Sequence, residues 1–229
     1  MKNGRVKLRM LVLSSGGKDS ILALHLAYEK GWKLDGIITI IPEDPESMLY
    51  HTYNVRYVDK IAESIGTPWF YTHAKKNEEE KALEFILKKV DTDILVSGSV
   101  SSKYQKDRFD KICNKIGIQH FTPLWGLDPQ SILYTLLDLK MDVLIVAVAA
   151  YGLGEEWLGT HLDNESVKRL LQLSEKYHFN PIGEGGDLDT FVLDAPLYKK
   201  RLIVLKAVKN WHYDHGDLKI EELKLMDKF

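Results

Sequence analysis

Short apolar runs recur along the first half of the chain, and between them lie segments whose apolar positions repeat every three or four residues. Arg9 to Ser14 is the first run and reads as a strand. From Asp19 to Lys30, the residues Ile21, Leu22, Leu24 and Leu26 supply the apolar positions of a helix that Gly31 stops. Leu34 to Ile41 is a second strand. Strand, helix and strand together occupy about thirty residues, the length of a right-handed parallel crossover.

The alternation continues with a helix near Glu46 to Ile65, a strand at Pro68 to Thr72, a helix at Asn77 to Val90 and a strand at Ile94 to Gly98. Helices at Lys103 to Ile116 and Pro129 to Leu139 follow, then a buried strand at Asp142 to Ala150. Such a scheme predicts an α/β fold, a doubly wound parallel sheet with helices on both faces. Beyond Tyr151 the character shifts. Two glycine- and acid-rich stretches, GLGEEWLG at Gly152 to Gly159 and NPIGEGGDLDT at Asn180 to Thr190, read as loops around a helix at Asn164 to His178. Arg201 to Val208 and Asp217 to Leu225 alternate and predict an antiparallel hairpin. A boundary between Thr122 and Pro129 sets a first domain, residues 1–125, apart from a smaller C-terminal α+β domain, residues 126–229.

Composition narrows the classes of partner. Thirty-one basic against 33 acidic side chains give a formal net charge of -2, so no global field draws the chain to DNA or to an anionic membrane, and no direct nucleic-acid partner is expected. Cys113 is the only cysteine, which excludes an internal disulfide and fits a reducing compartment, the cytoplasm by default. The longest apolar run, Val143 to Tyr151, is far short of the ~20 residues that span a bilayer. The basic N-terminus, with Lys2, Arg5, Lys7 and Arg9, leads straight into a strand and is expected to be mature protein. A homodimer stays open as the assembly.

Candidate chemistry begins at SGGKDS, Ser15 to Ser20, preceded by Ser14. Glycines at the end of a first strand let backbone amides approach a ligand, and the helix that follows offers its free N–H groups and positive dipole end to an anion. Ser15 and Ser20 add hydroxyls, and Lys18 adds a mobile positive charge. Asp19 is placed to cap the helix or to hold a magnesium ion. A tight turn at Gly16-Gly17 with Asp19 as a plain cap would need no ligand; the combination of position, serines, Lys18 and Asp19 favours a phosphate cradle. Its spacing matches neither the Walker loop nor the dinucleotide fingerprint.

S-G-G-x-D-S after a first strand resembles the pyrophosphate loop of the N-type ATP pyrophosphatases, which cleave ATP between the α and β phosphates on an adenine-nucleotide alpha-hydrolase (HUP) fold. GLGEEWLG with Leu162-Asp163, and NPIGEGGDLDTFVLDAP at Asn180 to Pro196, resemble the diphthine–ammonia ligase family more narrowly. SMLYHTYN at Ser47 to Asn54 and GSVSSKYQKDR at Gly98 to Arg108 agree. The family's second block usually reads G-E-G-G-E-[YF]-[EH]-T; here Asp187, Leu188 and Asp189 stand in three of its positions.

The resemblance implies amidation of diphthine on elongation factor 2 by ammonium, with ATP and Mg2+, through an adenylated carboxylate that releases AMP and pyrophosphate. It further implies nucleotide contacts at Ser14, Ser15, Gly16, Gly17, Lys18, Asp19, Ser20, Thr39, His51, Ser97, Gly98 and Tyr104, with Asp19 also on the metal. Lys18, Asp19 and Glu184 are the implied catalytic residues. Glu155, Glu156, Trp157, Glu184, Gly185, Gly186, Asp187, Asp189 and Thr190 are assigned to the acceptor side, the acids facing ammonium or the trimethylammonium group and Trp157 adding a cation–π contact. Both acid-rich loops are therefore expected to fold over the mouth of the ATP site.

Other readings stay open at this point. Each acid taken singly is as well explained as a solvated turn residue beside glycine. A tRNA-modifying thiolase of the same superfamily would want paired cysteines, which Cys113 cannot supply. A nucleotide-binding module without turnover would need the glycine loop but not the acidic second half.

Overall fold

The computed structural model describes residues 7–44, 50 and 53–228. Five parallel strands form the first sheet: β1 (Arg9–Leu13), β2 (Lys33–Pro42), β3 (Trp69–Ala74), β4 (Ile94–Val96) and β5 (Gln119–Phe121), in the order β3-β2-β1-β4-β5. Successive residues of β1 point to opposite faces. Met10 and Val12 pack with helices α1 (Lys18–Tyr28) and α2 (Val58–Ile65), whereas Leu11 and Leu13 pack with α3 (Glu79–Leu87) and α4 (Lys103–Ile116). That is the doubly wound, HUP-like α/β arrangement, and the order of the strands reverses between β1 and β4, where such sheets open a crevice beyond their carboxyl ends.

The second unit contains α5 (Pro129–Asp138), β6 (Asp142–Val148), α6 (Asn164–Tyr177), β7 (Leu188–Asp194), β8 (Lys200–His212) and β9 (His215–Asp227). Its four strands lie in the order β7-β6-β9-β8 and every pair is antiparallel. The core beneath α1 and α2 runs on without a break into this sheet through Val143, Ile145, Phe191 and Ile220. Hydrogen bonds stitch the seam: Val192 N–H donates to the Gly16 carbonyl at 2.9 Å, Lys199 N–H to the Ser64 carbonyl at 2.9 Å, and Leu197 N–H to His25 Nε2 at 3.1 Å.

Several expectations shift. The strand at Asp142 to Ala150 exists as β6 but belongs to the antiparallel sheet, not to the alternating scheme. A run buried on both faces reads the same in either sheet. β5 has three residues, too few for a period, and was not expected. Leu188–Asp194 is strand although Leu188, Asp189 and Thr190 were read as loop, because the glycines before them dominate the composition. Of the helix expected near Glu46 to Ile65, the structure has a 3-10 turn at Val55–Tyr57 and α2, while residues 46–49, 51 and 52 lie outside the described residues. No helix among the described residues is long and apolar enough to cross a membrane.

Candidate active site

A cavity of about 490 Å³ opens beyond β1, β2 and β4. Part of its lining is polar, from Ser14, Ser15, Gly17, Lys18, Asp19 and Ser20 at the start of α1, and part is apolar, from Leu13, Ile40, Tyr50 and Phe109. The glycine loop is built from its own hydroxyls. Gly16 N–H donates to Ser14 Oγ at 3.0 Å, Ser20 Oγ donates to the Gly17 carbonyl at 2.9 Å, and the two serine oxygens lie 2.7 Å apart. Gly16 has φ +87°, and a Cβ there would meet the Phe191 ring at 2.6 Å. A Cβ on Gly98 would fall 2.6 Å from the backbone of Asp19 and Ser20, so only glycine lets β4 come this close to α1.

Four of the first-half assignments need correction or restatement. Lys18 is not mobile: its side chain is 2% exposed, its Nζ donates to the Ile182 carbonyl and lies 2.8 Å from Asp19 Oδ2. It lines the cavity as a fixed charge. Asp19 does not cap α1; Gly17 is the cap residue, and Asp19 sits in the first turn. Thr39 lies outside the cavity lining, its hydroxyl donating to the Ser14 carbonyl at 3.0 Å and accepting from Trp69 Nε1 at 2.9 Å. It buttresses the loop from below. His51 lies outside the described residues. Ser97, Gly98 and Tyr104 do line the cavity, Tyr104 with the Arg108 guanidinium 3.4 Å above its ring.

The second unit supplies the opposite wall from Ile182 to Gly186 and from Leu188 to Thr190. Thr190 belongs to the glycine loop's side, since its Oγ1 accepts from Lys18 N–H at 3.1 Å. Glu184 reaches back across the cavity's edge. Its carboxylate accepts from the backbone amides of Val100 at 3.0 Å, Ser101 at 2.7 Å and Ser102 at 3.2 Å, and from the Ser101 hydroxyl. Burial works to raise this carboxyl, but the Ser101 hydroxyl and the three amides outweigh it and hold Glu184 below its ordinary value. Four donors on one carboxylate make it a latch between the loop and the start of α4, and Glu184 also lines the cavity. Gly185, Gly186 and Asp189 line the cavity. Asp187 does not; its carboxylate accepts from Asn180 N–H at 3.0 Å and closes the turn.

The first acid-rich loop is elsewhere. Glu155–Trp157 forms a 3-10 turn outside the cavity lining, with Trp157 1% exposed in the core. The cation on its ring is Arg169, 4.9 Å from the centroid, which also pairs with Glu156 at 3.2 Å. Glu155, Glu156 and Trp157 therefore do not meet the other predicted site residues.

Against known proteins, the N-terminal domain model of diphthamide synthase matches residues 8–120 and the C-terminal domain model matches residues 128–226. The chain belongs to the diphthine–ammonia ligase family. The human diphthine–ammonia ligase is 28% identical over 222 residues, covering 86% of this chain and 83% of its own, and the *Danio rerio* one is 29% identical over 221 residues, covering 86% of each. In *Schizosaccharomyces pombe* the relative is 28% identical over 219 residues, and this chain spans 36% of its length. Among solved structures, a predicted subunit of tRNA methyltransferase from *Methanocaldococcus jannaschii* aligns over 82% of this chain at TM-score 0.39 and 16% identity, too distant a likeness to carry an argument.

Family membership sharpens which residues sequence reasoning missed. Ser99, Ser102 and Gln105 line the cavity from within the GSVSSKYQKDR segment, so the signal was on hand and only the individual residues were passed over. Tyr50 falls within SMLYHTYN and was passed over in the same way, whereas Leu13, Ile40 and Phe109 carry no signal of their own, because a pocket wall and a core position both read as apolar. Cys113 is buried, and desolvation pushes its thiol up to about 12, which disarms it as a sulfur nucleophile.

The residues present fit a nucleoside triphosphate. Hydroxyls, a helix N-terminus and a fixed ammonium meet in one lining, and Leu13, Ile40, Tyr50 and Phe109 add apolar surface to it. For magnesium the loop offers Asp19, whose Oδ2 already pairs with Lys18.

Proposed function

We propose that the chain is an ATP-dependent ligase that joins ammonium to the carboxylate of diphthine on elongation factor 2, releasing AMP and pyrophosphate. The observation that carries this reading is that the family's second block, Ile182 to Thr190, walls the same cavity as the glycine loop. A nucleotide module without turnover has no use for that second wall.

ATP, when bound, supplies the leaving group that turns a carboxylate into an acylating agent. The chain's own residues bind and orient. Amides at the start of α1 and the hydroxyls of Ser14, Ser15 and Ser20 take up the phosphates, while Lys18, held by Ile182 and Asp19, offers a charge that needs no reorganisation when negative charge develops. Asp19 would share its carboxylate with magnesium. Glu184 acts through position: it fastens the acceptor-side loop to the β4–α4 junction. Asp189, with Gly185 and Gly186, faces the acceptor and its ammonium donor. Residues 1–125 thus carry the nucleotide and 126–229 close over it from the acceptor side.

Incubation with ATP, magnesium, ammonium and diphthine-bearing elongation factor 2 should convert the factor's carboxylate to an amide by mass and yield AMP with pyrophosphate. ADP and orthophosphate would place the chain in another reaction class. A thiolation reading is disfavoured by Cys113, and Cys113→Ser should leave turnover intact.

A further inference from the structure

In the cavity wall, Ser97 begins a partly buried chain of hydrogen bonds that the glycine loop does not use. Ser97 Oγ lies 2.9 Å from His120 Nε2, and His120 Nδ1 lies 2.6 Å from Asp110 Oδ1. Asp110 Oδ2 in turn accepts from Lys106 Nζ at 2.6 Å. The His120 side chain is 3% exposed, and its ring stands edge-on to Phe109 at 5.8 Å. Phe109 and Tyr50, whose rings lie 6.1 Å apart, line the same cavity as Ser97.

We propose that Ser97 reads the six position of a purine base in this cavity, its hydroxyl held as a hydrogen-bond acceptor by the His120–Asp110 pair. The inference rests on the nucleotide reading of the cavity and adds the residues that choose the base. Its logic is one of proton positions. An ionised carboxylate only accepts, so the imidazole proton sits on Nδ1, toward Asp110. Nε2 of the neutral ring then carries a lone pair, and Ser97 must donate to it. The oxygen of Ser97 is left with acceptor capacity alone. Ser99 Oγ, 3.3 Å away, can fill one lone pair at most. An exocyclic amine, as in adenine, satisfies the other. A carbonyl at the same place, as in hypoxanthine or guanine, sets two acceptors face to face.

The protonation state agrees. Burial pushes His120 below its ordinary value against the opposing pull of Asp110, with Lys106 adding to the downward push, so the ring is neutral near pH 7.

ATP and inosine triphosphate differ at the six position by amine against carbonyl, and calorimetric titration of the full chain with each gives a discrimination ratio without any turnover. The wild-type chain should bind ATP about ten- to a hundredfold more tightly than inosine triphosphate. In Ser97→Ala and in His120→Phe that ratio should fall toward one, while Ser97→Thr, which keeps the hydroxyl, should retain it. Melting curves confirm that each variant is folded, and His120→Phe carries the test if Ser97→Ala is not. A wild-type ratio near one, or an unchanged ratio in a folded Ser97→Ala, overturns the proposal. So does a Ser97→Ala loss that vanishes with 2′-deoxy- or 3′-deoxy-ATP, which would make Ser97 a ribose contact. Failure to bind either triphosphate would remove the nucleotide reading itself, whereas tight, discriminating binding without AMP formation would remove only the ligase reading.

Discussion

GLGEEWLG at 152–159 and IGEGGDLDT at 182–190 share their glycines, their acids and their place in the second half, yet only the second reaches the cavity. What separates them is the element each is tied to. The first folds back along β6: Gly159 N–H donates to the Ile145 carbonyl and Ile145 N–H to the Thr160 carbonyl, both at 2.9 Å, and Trp157 is drawn into the core. The second feeds β7, which runs beside the glycine loop, with Val192 bonded to Gly16 and Thr190 to Lys18. Composition signals that backbone can come close to something. The strand that follows decides what it comes close to.

The sharpest way to break the comparison is to remove the anchor of each loop. Trp157→Ala should cost about 3–5 kcal/mol of stability, the range for a buried aromatic, seen as a shifted denaturant midpoint. ATP affinity of the folded protein should hold, because the side chain lies outside the cavity lining. A large loss of affinity in folded protein would put the first loop back at the site.

In the second loop, Gly183 has φ +81° and a Cβ there would collide with the Leu188 carbonyl oxygen. Gly183→Ala should cost about 1–3 kcal/mol through backbone strain and weaken ATP binding. By contrast Gly159, also at φ +81° but with its nearest neighbour at 3.8 Å, should tolerate alanine better and leave binding alone.

Glu184→Ala unfastens the latch and leaves the amides of Val100, Ser101 and Ser102 to find other partners. A loss of about 1–3 kcal/mol is expected, together with weaker ATP binding. The pH dependence has a definite sign. Glu184 is lowered in the folded protein, so its contribution is present above its ordinary value of 4.5 and is lost as the pH falls through the lower folded value. The stability gap between wild type and Glu184→Gln, followed by denaturant titration, should therefore close on acidification. A gap that stays constant down to acid would mean that the charge is not what the amides hold.

The smallest effect belongs to Glu156, whose ion pair with Arg169 joins side chains 56% and 57% exposed. Glu156→Ala should change stability by no more than about 0.5 kcal/mol and amidation not at all. A slowed turnover at unchanged stability would restore this acid to the acceptor side.

Much of the first sheet was legible because burial on alternate faces and helical repeats both leave periods, and because the glycine pair, serines and Asp19 fall together within one turn. The identity of β1, α1 and β2 and the tail hairpin follow from such local patterns, as does the glycine loop, whereas Gly98 and Tyr104, which also line the cavity, came from the family resemblance. Lys18 shows where that stops: its type and place were plain, but its confinement depends on the carbonyl of Ile182, far along the chain.

By itself the sequence determined most of the strands and helices of the first sheet, the glycine turn between β1 and α1 and, by its motifs, the family, while β5 and β7 escaped it. The tertiary structure alone decided that β6 joins the antiparallel sheet, that Glu184 is a latch and Trp157 a core residue, and that Ser97, His120 and Asp110 form one chain. The physical reason is range. Periodicity and turn chemistry act between residues a few positions apart, whereas a hydrogen bond from the Val100 N–H to the Glu184 carboxylate exists only once two sheets share a core.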